Sequence, residues 1–190
     1  MARGPARRLV CIVEGNGEVD AVPALCARVL HHLEIWSWIV LPVAIRQPRA
    51  SLVQRGQPNA LGLRRAVELA RRRPADAALI LCDSDDDCPA AWGPASERVL
   101  VDVLPVACVM VVREYEAWLL ASRTRSQADG HRRIEQIRDA KKHFRAHWPG
   151  YMPSVDQLDA TREIDIARLR KLAPSFDKLV RSLHALVSAD

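Results

Sequence analysis

The sequence predicts an α/β fold, with a mostly parallel central sheet flanked by helices and a helical extension after it. Three observations carry this. Short, continuous apolar runs recur along the first two thirds of the chain, as expected of strands buried on both faces. Segments with helical apolar spacing separate them at crossover length. Beyond about residue 123 the runs stop and only helical patterns remain.

The first run, Leu9 to Val13, ends at the turn Glu14-Gly15-Asn16-Gly17-Glu18. From Val19 to Leu33 the residues Val22, Leu25, Val29, Leu30 and Leu33 share a helical face. A second extended run spans Trp36 to Ile45. A polar stretch from Arg46 to Pro58 follows, and Asn59 is a candidate N-cap for a helix closing at Arg71-Arg72-Arg73-Pro74. Ala77 to Cys82 is the third strand and runs into Asp83-Ser84-Asp85-Asp86-Asp87. A helix over Pro94 to Leu104 leads to the fourth strand, Val106 to Val112, and then to Arg113-Glu114-Tyr115-Glu116 and a helix over Ala117 to Ala121. Residues 7–122 therefore form the expected α/β core, and 123–190 a helical extension packed on it. Ile134, Ile137, Lys141, Phe144 and Trp148 predict one amphipathic helix over His131 to Trp148. A polar loop through Asp159 and two helices, Ile164 to Leu172 and Pro174 to Val187, complete the chain.

Composition bounds the function. The 190 residues are 49% hydrophobic and 27% charged, which excludes a disordered chain. No apolar run reaches the ~18–20 residues of a membrane span. The basic start, Met1 to Arg8, meets Glu14 too soon for a signal peptide, so a cytoplasmic protein is expected. Five cysteines, odd in number and without a CxxC pair, read as reduced thiols. The net charge of +5 permits a nucleic-acid partner without demanding one. There is no Walker sequence or GxGxxG, which argues against nucleotide hydrolysis. The six histidines have no metal-ligand spacing.

The chemistry lies in the acids. In open parallel sheets functional groups gather beyond the carboxyl ends of the strands. Three of the four proposed strands end in carboxylates there: Glu14 and Glu18, then Asp83 and Asp85, then Glu114 and Glu116. Such a set repels itself unless neutralised, and hard divalent cations such as Mg²⁺ or Mn²⁺ are its natural counter-ions. Plainer roles stand beside these. Glu18 also suits the first turn of a helix, Asp86 and Asp87 suit an exposed loop, and Lys141 suits a surface helix beside Lys142 and His143. Trp118 reads as core, and Ser175 as a helix N-terminal contact.

The glutamate after the first strand, Val13-Glu14-Gly15, with Asp83-Ser84-Asp85 after a later one, resembles the Toprim fold of topoisomerases, primases and OLD-family nucleases. Glu18 resembles the second glutamate of the OLD type. The segment Arg113 to Ala121 is similar to the E-A-W-L-L-A segment of the DUF4276 family, as are Lys141, Tyr151, Ile164-Asp165 and Ser175-Phe176 further on. The resemblance implies a Toprim-like, metal-dependent nuclease. Glu14, Asp83 and Asp85 would hold one Mg²⁺ or Mn²⁺, Glu18 and Glu116 a second, and Lys141 would stabilise phosphate charge. It further implies a separate ABC- or AAA-type ATPase partner, in the manner of anti-phage defence systems; a homo-oligomer is left open. Arg46, Arg49, Arg55, Lys141 and Lys142 are the expected nucleic-acid contacts. The rival is a noncatalytic Toprim-like subunit that binds metal, nucleic acid or a partner without cutting. A receiver domain is disfavoured by Arg113-Glu114 at the fourth strand end, and a haloacid dehalogenase by Asp87 where Thr or Val is usual.

Overall fold

The computed structural model describes residues 6–123 and 131–189; Met1 to Pro5, within the basic amino-terminal stretch, lie outside them. The central sheet runs β2-β1-β6-β7, all parallel. Its strands are β1 (Arg7–Val13), β2 (Trp38–Val40), β6 (Ala77–Asp83) and β7 (Val106–Val111), and β3 (Ile45–Arg46) also pairs with β1 beyond β2. Helix α1 (Glu18–His32) follows β1. A small insertion follows β3: α2 (Arg49–Leu52) and an antiparallel hairpin of β4 (Val53–Gln54) and β5 (Gln57–Pro58). Helices α3 (Ala60–Arg71) and α4 (Pro89–Leu100) make the later crossovers, and α5 (Glu116–Arg123) leaves β7. Beyond it lie a 3₁₀ helix (His131–Gln136), α6 (Ala140–Phe144), α7 (Pro153–Arg162), α8 (Ile166–Leu172) and α9 (Pro174–Ser188).

Strand side chains alternate between two cores. Leu9, Cys11, Val13, Leu79, Leu81, Val109 and Val111 face a layer containing α1, α5 and the carboxy-terminal helices. Val10, Ile12, Ala78, Ile80, Cys82, Cys108 and Met110 face α3 and α4. The carboxy-terminal helices share the first core: Trp118, Phe176, Leu179 and Leu183 are buried together, and the Trp118 indole donates to Ser175 Oγ at 2.9 Å.

Four expectations change. The run from Trp36 to Ile45 is two short strands, because Pro42 cannot donate to a ladder. The helix placed at Pro94 to Leu104 is α4, which starts earlier with Pro89 in its first turn. The single helix over His131 to Trp148 is broken. Asp139 adopts a left-handed φ of 56° before α6, and Glu135 turns inward, accepting from the Ser175 backbone and hydroxyl and from Trp118 Nε1. The polar loop through Asp159 contains α7, whose buried residues are Gln157, Ala160 and Thr161, so no apolar stripe announces it. Asn59 is an N-cap as expected, its side chain accepting from the Gly62 amide at 3.1 Å. Among the described residues no helix is long and apolar enough to cross a membrane.

Candidate functional site

Parallel pairing brings the carboxyl ends of β1, β3, β6 and β7 to one edge of the sheet. Asp83 closes β6, Glu14 follows β1, Glu18 opens α1 and Glu116 opens α5. The expected acids thus share the edge that the topology favours for function.

Their environments differ. Asp83 Oδ1 is buried and has no hydrogen-bond partner among the described residues. Its pKa is held well above the usual carboxylate range, first by burial and then by the charges of Glu18, Glu116, Glu14 and Glu114. Glu18 is 5% exposed and accepts from the Glu14 and Gly15 amides at 3.2 and 3.1 Å. Burial pushes its pKa up to about 7 against those amides, with Glu14 and Glu116 adding repulsion. Glu116 is 4% exposed; burial raises its pKa, and Lys141 opposes the rise. The Tyr151 hydroxyl donates to Glu116 at 3.4 Å, and Lys141 Nζ lies 3.7 Å from it. Glu14 is half-buried and also raised by burial, which outweighs the attraction of Arg49.

Glu114 points elsewhere: it accepts from the Lys141 backbone amide at 3.1 Å. Asp85 is exposed and left-handed, φ 48°, facing Arg113 with φ 64°. The two loops are laced together, Asp85 N donating to Arg113 O at 3.1 Å and Arg113 N to Ser84 Oγ at 2.8 Å. Non-glycine residues are uncommon in that region, and such backbone clusters at functional sites. Asp86 is held by Arg113 Nη1 at 2.5 Å and Arg138 Nη2 at 3.0 Å.

Of the basic candidates, Arg49 and Lys141 touch the acids. Arg49 reaches Glu14 (3.5 Å), Asp85 (3.3 Å) and Asp87 (2.5 Å), and donates to the carbonyls of Asp83 and Ser84. Arg46 is exposed at the end of β3, on the same edge. Arg55 is exposed in the β4–β5 turn, whose neighbour Gly56 packs near Asp87. Lys142 is exposed on α6. Sequence reading assigned no site role to Tyr151 or Arg113. Tyr151 sits 35 residues from the glutamate it touches and carries no periodic signal. Arg113, directly after a strand end, had a positional signal.

The donor set suits a hard divalent cation. Carboxylate oxygens are its preferred ligands, and a buried carboxylate oxygen without a partner is a group that a cation would satisfy. The side chains are not drawn to a common point: among the described residues no three of the histidine, cysteine, aspartate or glutamate side chains form a ready coordination shell. The reason is visible in their partners. Arg49 holds Glu14 and Asp85, backbone amides hold Glu18, and Lys141 and Tyr151 hold Glu116.

An open parallel α/β sheet with a buried carboxylate cluster beyond its strand ends defines the class. The chain belongs to the DUF4276 family, a domain of unknown function, whose model matches residues 13–184. No curated protein and no solved structure matches it.

Proposed function

We propose that the protein is a divalent-metal-dependent phosphodiesterase acting on nucleic acid, of the Toprim and OLD type, and that it works with a separate ABC- or AAA-type ATPase subunit in a defence-type system. The observation carrying this reading is the Asp83 carboxylate, buried with an unpartnered oxygen amid Glu14, Glu18, Glu114 and Glu116. Burial and the mutual repulsion of these carboxylates both oppose their ionisation, as the raised pKa values of Asp83, Glu18 and Glu116 reflect. A fold that only needed stability gains nothing from such a set, whereas a cation site requires it.

Glu14, Asp83 and Asp85 would hold one Mg²⁺ or Mn²⁺, and Glu18 and Glu116 a second. The ions would supply an activated water and charge neutralisation at the phosphate. The chain's own groups do the rest. Tyr151 orients Glu116 through its hydroxyl. Lys141, anchored at Glu116 and half-exposed, carries a positive charge to the rim, where a phosphate would meet it. Arg46 and Arg55 on the same side extend that charge along a substrate backbone.

A second reading, a noncatalytic metal- or nucleic-acid-binding subunit, is favoured by the internal pairing of the carboxylates with Arg49 and Lys141. One experiment separates the two. The purified chain is incubated with plasmid, linear duplex, single-stranded DNA and RNA in Mn²⁺ or Mg²⁺, and Mn²⁺ binding is measured in parallel. The nuclease reading expects metal-dependent cleavage that Asp83→Ala reduces to background. Asp83-dependent Mn²⁺ binding without cleavage, alone or with an ATPase partner, selects the noncatalytic reading. Absence of both defeats the metal centre itself.

A further inference from the structure

Arg49 lies among the carboxylates of Glu14, Asp85 and Asp87. Its guanidinium carries five N–H donors in a planar fork; Nη1 and Nη2 donate hydrogen bonds, and Nε only faces Asp85. Nε faces Asp85 Oδ2 at 3.3 Å, and Nη1 faces Glu14 Oε2 at 3.5 Å and the Asp83 carbonyl at 2.5 Å. Nη2 faces Asp87 Oδ2 at 2.5 Å and the Ser84 carbonyl at 3.2 Å. The contacts are unequal. A charge-assisted N–H···O bond is about 2.7–2.9 Å. Asp87 and the Asp83 carbonyl are gripped; Glu14 and Asp85, the two contacts that belong to the expected cation ligands, are held loosely.

The backbone beneath Arg49 is fixed. It opens α2, whose Ala50 carbonyl accepts from Asn59 Nδ2 at 2.7 Å and whose Leu52 is buried. Gly62 of α3 lies against Ser51, so close that a Cβ there would fall 2.0 Å from the Ser51 carbonyl oxygen. The root of the side chain is therefore held independently of the contacts at its tip. Beside it, the buried Asp83 oxygen without a partner marks a position that Arg49 does not satisfy, although it bonds the carbonyl of the same residue.

We infer that Arg49 is a displaceable counter-ion: it neutralises the carboxylate cluster in the metal-free protein, and a divalent cation taking Glu14 and Asp85 frees two of its N–H donors, Nε and one hydrogen of Nη1, for a substrate phosphate. This rests on the metal-centre reading above and adds a regulatory step to it. Asp87 is outside the proposed ligand set and keeps Nη2, so the guanidinium pivots at the rim without leaving. Nε and the Glu14-facing hydrogen of Nη1 are then available as two separate donors to phosphate oxygens; Nε shares its edge of the guanidinium with Nη2, which stays on Asp87. Metal binding and phosphate binding become coupled through one side chain. The cation competes with Arg49 for the carboxylates, and the phosphate captures the donors that the cation releases. Each ligand therefore favours the other.

The test compares wild type with Arg49→Gln and Arg49→Lys. Mn²⁺ affinity is measured by calorimetry. Affinity for a short duplex is measured by fluorescence anisotropy, in EDTA and again in Ca²⁺ to limit cleavage. Removing an internal competitor raises the apparent affinity of the external one. Arg49→Gln is expected to bind Mn²⁺ about tenfold or more tightly than wild type and to lose about tenfold in duplex affinity in Ca²⁺, with a smaller loss in EDTA. Arg49→Lys, which keeps the charge without the spread of donors, is expected to change both affinities in the same directions but by less; it carries the test if the glutamine variant is unfolded by circular dichroism. Unchanged or weaker Mn²⁺ binding by Arg49→Gln overturns the counter-ion role and leaves Arg49 a fixed strut. Tighter Mn²⁺ with unchanged duplex binding in Ca²⁺ overturns the phosphate role. If no form of the protein binds Mn²⁺, the metal-centre reading has failed, and that result is distinct from either.

Discussion

Asp83, Glu18, Glu116 and Glu14 all have pKa values raised by burial in the folded chain. An acid whose folded pKa exceeds its unfolded value binds its proton more tightly when folded. The stability this gives is fully present below the unfolded carboxyl range and is lost as pH rises through the folded pKa, about 7 for Glu18. Asp86 and Asp102, held low by hydrogen bonds from Arg113 and Arg64, titrate below that window. In EDTA, urea denaturation should therefore give a lower midpoint at pH 8 than at pH 5.5. Asp83→Asn removes the most crowded charge. At pH 8 it should raise the urea midpoint of the metal-free protein, because burial and the surrounding glutamates oppose that charge, while abolishing Mn²⁺ binding. A variant that gains stability and loses metal would separate the cost of the site from the cost of the fold. Equal midpoints at the two pH values would mean that these carboxylates relax on burial.

The insertion between β3 and α3 shows how one element governs the site. Helix α2 is only four residues long and relies on its neighbours for its position. Gly62→Ala puts a methyl group into the Ser51 carbonyl oxygen, a backbone atom that cannot rotate away. About 1–3 kcal/mol of destabilisation is expected from such overpacking, readable as a lower urea midpoint. Because α2 carries Arg49, the same change should also alter Mn²⁺ affinity, whereas a change in α4 on the same face of the sheet should not. Parts of this were legible in the sequence. Asn59 announced the start of α3, and the strands announced themselves because burial on both faces leaves no room for polar residues. Arg49 was expected on the face of the acids, but its direct pairing with Glu14, Asp85 and Asp87 was not legible. Its contacts reach across 34 to 38 residues, and no periodicity records them. Helix α7 was hidden for a different reason: its buried side is built from Gln157, Ala160 and Thr161, which read as loop.

At the scale of the molecule, the carboxy-terminal helices supply both core and chemistry. Tyr151, Leu169, Phe176, Leu179 and Leu183 are fully buried against residues of the sheet, α1 and α5. At ~1.5–3 kcal/mol for each large apolar side chain, their burial is worth on the order of 10 kcal/mol, comparable to the net stability of a whole domain. A chain ending at Arg123 should fail to fold, with no cooperative urea transition; a cooperative one would show that the sheet and its first helices suffice. The same segment brings Lys141, on α6, and Tyr151, in the connection from α6 to α7, to Glu116. Sequence periodicity could show that helices were present here, but it could not show which glutamate they approach, since that depends on how the layer packs.

The cysteines give the protein a built-in optical handle. Cys11, Cys26, Cys82 and Cys108 are buried, and Cys88 is exposed directly after Asp87, as the N-cap residue of α4. A maleimide dye should therefore attach to the native chain at one position, on the loop that Arg49 grips, without any substitution. The four sheltered thiols should become reactive only when the chain unfolds. Fluorescence from that single dye would follow the acidic loop during a Mn²⁺ titration, and the labelling stoichiometry would report how much of the sample is folded.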